Sequence, residues 1–170
     1  MHLFEHRIST KGAQQMTKVT NIVREDIEKS GVKDGIAVVF SPHTTAGFTI
    51  NENADPDVVH DMLYGYEKVF PTNASYYQHI EGNSHAHMKT TLVGPSQTLI
   101  ISDGEILFGI WQDLYFCDFD GPRNRKFYVK INVEGTLYIL AEALVSTNFP
   151  EKSYMIVRRI LSSWVEVKKH

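Results

Sequence analysis

The sequence predicts an α+β fold: a single compact domain with a largely antiparallel or mixed β-sheet core and two main helices, followed by a C-terminal two-helix extension. Three observations lead there. Short runs of alternating or continuous apolar residues, bounded by Gly, Pro, Asn and Asp, recur along the first 133 residues. Two longer segments in that region instead repeat apolar residues every three or four positions, one face of an amphipathic helix. Beyond Val133 the spacing becomes helical in two stripes, interrupted by Asn148-Phe149-Pro150. The expected organisation is therefore a domain over 1–133 and a helical extension over 134–170.

Taken in order, Leu3 to Ile8 alternates as a first strand. Met16, Val19, Ile22, Val23 and Ile27 predict a helix from about Gln15 to Lys29, stopped by Gly31. Ile36 to Phe40 is a continuous apolar run, which predicts a strand buried on both faces. Gly47 to Asn51 is a short strand. Asp55-Pro56-Asp57 has the form of a helix start, with Asp55 as N-cap, and Val58, Val59, Met62, Leu63, Tyr66 and Val69 mark the inner face of a helix closed by Pro71. Pro71 to Ser84 shows neither period, and a structureless loop of that length is often functional. One or two helical turns open at His85. Gln97 to Ser102 and Glu105 to Ile110 form a hairpin about Asp103-Gly104. Trp111 to Phe119 continues as strand, and Lys126 to Val133 runs back after the turn Asp120–Arg125. The stripes Leu137–Val145 and Tyr154–Trp164 give the two helices of the extension.

Composition excludes several classes of function. At 170 residues with 42% hydrophobic and 22% charged content, the chain is an ordinary globular protein. A formal charge of −3 leaves no footprint for nucleic acid, and no apolar run approaches the ~18 residues of a membrane span. The single cysteine, Cys117, allows no intrachain disulfide and fits a reducing compartment. The charged start MHLFEHRIST lacks the apolar core of a signal peptide and reads as mature sequence, so the expected location is the cytoplasm.

The segment Ser41–Asp57 (SPHTTAGFTINENADPD) sets a dense group of polar residues directly after a core strand, and loops held by rigid elements are where site residues concentrate. Of the eight histidines, His43, His79, His85 and His87 fall in this segment and in the irregular stretch near His85. Several imidazoles without competing cysteines suit zinc or a similar divalent ion, but no HExxH or CxxC spacing fixes a ligand set. Glu52 and Glu81 lie beside these histidines and suit orienting ligand imidazoles or acting as general base toward bound water, whereas Asp55 and Asp57 are accounted for by helix capping. Arg123 and Arg125 supply forked donors for a phosphate or carboxylate, and Thr44, Thr45, Ser96 and Gln112 add neutral donors to an anion pocket. Cys117 reads as inert packing. Neither a GxSxG elbow nor a phosphate-cradling glycine loop occurs.

SPHTTAGFTINENADPDV, YYQHIEGNSHAHMK with TLVGPS, and GIWQDLYFCDFDGPRNRK together resemble, in this order, the YjbQ-like family of secondary thiamine-phosphate synthases. The resemblance covers about Phe4 to Ile131. It implies a compact α+β domain that assembles as a homotrimer, a His-lined site for a divalent metal ion (zinc foremost) or an anion, and a weak thiamine-phosphate synthase activity. By position it implies His43, His79 and His87 as metal ligands, with Glu52, Asp55 and Glu81 as the acidic residues of the site; His85 carries no implied role. Relatives commonly read GTWQ where this chain has Gly109-Ile110-Trp111-Gln112, which removes a hydroxyl. The expected ligand is a phosphorylated small molecule, with Glu52 and Glu81 moving a proton and Thr44, Thr45, Ser96, Gln112 and Arg123 holding phosphate oxygens.

Overall fold

Two antiparallel sheets, packed face to face through three phenylalanines, organise the molecule. The computed structural model describes residues 2–133. The five-stranded sheet has the order β1-β8-β3-β5-β6 and the three-stranded sheet the order β2-β7-β4. In chain order the elements are β1 (His2–Ser9), β2 (Gln15–Lys18), α1 (Thr20–Ser30), β3 (Gly35–Phe40), β4 (Ala46–Glu52), α2 (Pro56–Val69), α3 (Ser84–Val93), β5 (Ser96–Ser102), β6 (Glu105–Ile106), β7 (Gln112–Asp118) and β8 (Asn124–Val133). The helices expected beyond residue 133 lie outside the described residues.

The central strand of the small sheet, β7, explains the layering. Leu114 to Asp118 are all buried, so both faces of β7 are covered. Toward the large sheet, Phe116 and Phe48 meet Phe127 of β8, with ring centroids 5.3–5.9 Å apart and two of the three contacts edge-on, the geometry that aromatic quadrupoles favour. On the other face Tyr115, Cys117 and Phe119 form a core cluster with Ala86 of α3, against which Val59, Leu63 and Tyr66 of α2 pack. Cys117 is inert: burial pushes its thiol up to about 12.

Helix α2 starts as its sequence says it should. The Asp55 side chain accepts from the Asp57 amide at 2.9 Å, and Pro56 stands at the first helical position. Val69 nevertheless faces solvent rather than the core. Gly31 ends α1 in the left-handed region at φ 69°, where its amide reaches the Ile27 and Glu28 carbonyls.

Several expectations are corrected. The segment Gln15–Lys18 is a strand, not the first turn of a helix; it pairs with β7 from Gln15↔Asp118 to Lys18↔Tyr115, and the helix begins only at Thr20. Pairing of this kind overrides local periodicity because it satisfies main-chain groups that a helix start leaves open. β3 is buried on one face alone, with Ala37 and Val39 inside and Ile36 and Phe40 exposed. The return strand of the Asp103-Gly104 hairpin stops at Ile106. Finally, β7 and β8 follow one another in sequence without pairing: β7 lies between β2 and β4, while β8 crosses to the other sheet and pairs with β1. A third helix, α3, runs for 10 residues where one or two turns were expected.

The backbones of β4 and the segment that follows α3 approach closely. The Phe48 amide donates to the Gly94 carbonyl at 2.9 Å, and a Cβ on Gly47 would sit 2.2 Å from that same oxygen. Gly47→Ala is therefore expected to destabilise the fold by about 1–3 kcal/mol, the range for overpacking, read as a lower urea midpoint with an unchanged slope.

Candidate functional site

The site residues gather around the link from β7 to β8, where the chain changes sheets. Asp118 ends β7 and Arg125 is the second residue of β8. Arg125 is 8% exposed and grips Asp118 through both ends of its fork, Nη2 to Oδ1 at 2.7 Å and Nε to Oδ2 at 3.0 Å, and Nη2 also donates to Thr45 Oγ1 at 2.9 Å. Thr10 Oγ1 donates to Asp118 Oδ2 at 2.7 Å. Burial alone would raise the Asp118 carboxyl, but the hydrogen bonds from Arg125 and Thr10 outweigh it and hold the group below the usual carboxylate range.

His43 stands above this clasp, half-buried, with Nε2 3.1 Å from both the main-chain nitrogen and oxygen of Lys126. Its pKa is lowered, first by burial and then by the neighbouring Arg125 charge, so the ring is held in its neutral form. Across the β7–β8 link, Asp120 Oδ2 accepts from Asn83 Nδ2 at 3.1 Å and from Arg123 Nη2 at 2.9 Å. Asn83 precedes α3 and also donates to Glu81 at 3.4 Å, while its Oδ1 is buried without a partner.

His79, from the irregular loop, and His87, from the first turn of α3, meet edge to face with ring centroids 5.3 Å apart. Glu81 Oε2 approaches His79 Nε2 to 3.8 Å. Two imidazoles bound tetrahedrally to one zinc ion at about 2.0–2.1 Å would have ring centroids roughly 5 Å apart. The spacing of this pair thus fits a shared ion. His43 does not join it: among the described residues no three His, Cys, Asp or Glu side chains converge within one chain. His85, on the same helix, turns inward instead, 8% exposed, with Nδ1 unpartnered and its pKa lowered by burial and by the Lys89 charge.

Other expected site residues are dispersed. Glu52 and Gln112 pair at one end of the β4–β7 ladder, and Ala46 pairs with Asp118 at the other. Six residues of strand separate them, about 20 Å. The Glu52 carboxylate is therefore remote from the clasp beneath His43, and its main-chain carbonyl accepts from Tyr115 Oη at 2.7 Å. Ser96 donates to the Val39 carbonyl at 2.7 Å, and Gln112 accepts from the Gly109 amide at 2.9 Å, so both serve the main chain. Thr45 holds Arg125, Thr44 is exposed, and Arg123 pairs with Asp120 at the surface.

The residues that the sequence reading did not single out are the ones that fix the histidines. Lys89 of α3 has no exposed surface; its ammonium donates to Glu67 Oε2 at 2.6 Å and to Gln14 Oε1 at 2.9 Å. The same Glu67 carboxylate accepts from the Thr72 amide at 2.6 Å. One carboxylate thus ties the start of the loop that carries His79 to the helix that carries His87. A lysine two residues beyond a His-x-His pair gave no signal of burial, because its partners come from two other parts of the chain. Arg125, expected as a forked donor for an anion, is instead turned inward onto Asp118, in phase with Phe127, Val129 and Ile131 on the inward face of β8.

The model of the family described as "UPF0047 protein YjbQ-like" matches residues 4–134. The chain belongs to this family. The UPF0047 protein MJ1081 of Methanocaldococcus jannaschii is 52% identical over 129 residues, which is 76% of this chain and 93% of that protein. UPF0047 protein YugU of Bacillus subtilis is 46% identical over 125 residues, covering 74% and 95%. Among solved structures, an uncharacterised YjbQ/UPF0047 protein of Clostridium acetobutylicum is 53% identical, with a TM-score of 0.74 over 76% of this chain and 99% of that one. A Sulfolobus solfataricus relative, 29% identical with a TM-score of 0.75 over 78% of this chain and 97% of that one, is described as of unknown function. These UPF0047 relatives agree with the fold expected from the motifs, and their names carry no activity.

Burial would raise the Glu67 carboxyl, but hydrogen bonds from Lys89, Thr72 and Gln14 together bring it down from 4.5 to about 2. A depressed carboxylate contributes stability above its unfolded value and loses it as pH falls toward the folded one. Wild type should therefore be more stable than Glu67→Gln at neutral pH, and urea midpoints measured from pH 4.5 down to about 2 should converge. A gap that stays constant across that window contradicts the assignment.

Proposed function

We propose that this protein is a metal-dependent enzyme acting on a phosphorylated small molecule. The observation that carries the reading is the His79–His87 pair, whose 5.3 Å ring separation suits two ligands of one ion. Zinc is the ion that best matches imidazole donors with a carboxylate alongside. A bound ion would supply positive charge to a phosphate oxygen or lower the pKa of a bound water. Glu81 lies beside the pair and is the candidate proton acceptor; Glu52 could reach such a site only from another copy.

Two ligands are too few for a catalytic zinc, which typically takes three from protein. We infer that the chain forms a homotrimer in which His43 of a neighbouring copy supplies the third. Ile80, between His79 and Glu81, is 98% exposed, and Tyr76, Ile110 and Trp111 are also exposed, an apolar set suited to burial between copies.

The family resemblance gives the reaction a specific form. A thiazole phosphate nitrogen attacks the methylene of a hydroxymethylpyrimidine diphosphate, a C–N bond forms, the C–O bond breaks, and pyrophosphate leaves with the electron pair. No proton has to leave the attacking nitrogen. Hydrolysis of a phosphoester would need a base for water, and a pure binding role would need none. Glu81→Gln separates these: the hydrolase loses activity with affinity kept, whereas the transferase and the binder are little changed.

Metal analysis of the purified full chain should find one ion per chain. His79→Ala, His87→Ala and His43→Ala should each abolish it, while His85→Ala should leave it nearly unchanged. Light scattering should give a mass near three chains. A monomeric protein that still holds stoichiometric metal after His43→Ala would defeat the shared site.

A further inference from the structure

We propose that the cleft over the paired ends of β1 and β8, beside His43, binds the phosphoryl group of the substrate through Arg7, Asn124 and Lys126. This rests on the phosphorylated-substrate part of the function proposed above; it shares His43 with the metal part, and its test is therefore run on metal-free protein. Arg7 was not among the candidate residues, and β1 was assigned no role in the site.

The cleft has a volume of about 560 Å³ and is lined by Arg7, Ile8, Ser9, His43, Asn124, Arg125 and Lys126. That is within the ~300–1,000 Å³ typical of small-ligand sites. Three of its seven lining residues are permanent cations and none is an acid. Their charges are unequally engaged. Arg125 is neutralised by Asp118 beneath the floor. Lys126 has a loose contact with Glu5, 3.9 Å away on an exposed pair, and lies over the Tyr128 ring at 5.4 Å, with no close ion pair. Arg7 has no ion pair among the described residues, and its guanidinium keeps a full set of forked donors.

The strand register makes this arrangement unusual. β1 and β8 pair Arg7 directly with Lys126 and Ser9 with Asn124. Like charges directly opposite on one face of an antiparallel pair are destabilising. The neighbouring pair is also biased toward donors. Ser9 Oγ donates to Asn124 Oδ1 at 2.6 Å, which occupies the amide oxygen and leaves the Asn124 NH₂ group open. His43 Nε2 is held by the Lys126 main chain, leaving Nδ1 uncommitted.

The lining therefore presents two charged donors and an amide donor, with its main side-chain acceptor already occupied. A neutral or cationic ligand would leave these donors unmatched. A tetrahedral oxyanion such as a phosphate ester satisfies the Arg7 fork, relieves the Arg7–Lys126 repulsion and accepts from Asn124 at once. Nucleic acid is a poor alternative for a chain of net charge −3 and a cleft of this size.

The test uses the full chain, freed of metal by chelator and dialysis, titrated with inorganic pyrophosphate in a calorimeter. Saturable binding is expected, with Arg7→Ala weakening it at least tenfold and Asn124→Ala several-fold. Arg7→Lys should recover part of the loss, because a point charge replaces a fork. Arg7 is exposed, so its variants should unfold at the wild-type temperature, which serves as the folding control. Absence of binding by the metal-free wild type, or equal binding by Arg7→Ala, overturns the proposal. So does pyrophosphate binding that appears only on adding zinc and disappears in His79→Ala, a result that would leave the metal reading intact. A protein that holds no metal yet binds pyrophosphate through Arg7 defeats the metal reading and supports this one.

Discussion

The buried Asp118–Arg125 pair is the constraint on which the rest depends. It joins the last residue of β7, in the three-stranded sheet, to the start of β8, in the five-stranded sheet. Thr10 and Thr45 complete the carboxylate and guanidinium from two further segments. Removing one partner of such a pair leaves an uncompensated buried charge and costs about 3–5 kcal/mol, although the intact pair need not stabilise the fold more than apolar packing would. Its value here is positional. It sets where the chain changes sheets, and with that the places of His43 above it and of Asp120 beside Asn83.

A second ionic centre, Lys89 with Glu67, does for the other half of the site what the first does for His43. A charge without exposed surface cannot shift without losing its partners, so α3 is fixed relative to α2 and to the entry of the irregular loop. The loop has no regular structure of its own, yet His79 arrives against His87 because both ends of its path are held. The two centres also divide the chemistry. His79 and His87 face each other near the irregular loop with Glu81 beside His79, while Arg7, His43, Asn124 and Lys126 line a donor-rich cleft elsewhere in the chain.

Much of this was legible in the sequence, and the exceptions share a cause. The second helix, its Asp55 cap, the Asp103-Gly104 hairpin turn and the site segment after β3 are local signals, fixed by neighbours in the chain. The strand at Gln15–Lys18 and the separation of β7 from β8 depend on partners about 100 residues away or in another sheet, which no local period reports. The site divides in the same way. His43, His79 and His87 were singled out together; the structure sets the rings of His79 and His87 5.3 Å apart, with Glu81 beside His79, and leaves His43 elsewhere. Glu52 sits at the far end of β4, because two residues close in sequence are far apart once the chain between them is extended. Lys89 was missed because a lysine on a weakly amphipathic helix reads as solvated, and Arg7 because alternation assigns an exposed arginine on an edge strand no duty.

The central claim is that His79 and His87 hold one metal ion in the assembled protein. Anomalous diffraction from crystals grown with zinc, collected on both sides of the zinc absorption edge, tests it most directly. The account predicts one strong peak per chain within bonding distance of both imidazoles, with a third protein ligand from a neighbouring copy. A peak bound at His43 alone, or no peak near His79 and His87 in fully zinc-loaded protein, would contradict it.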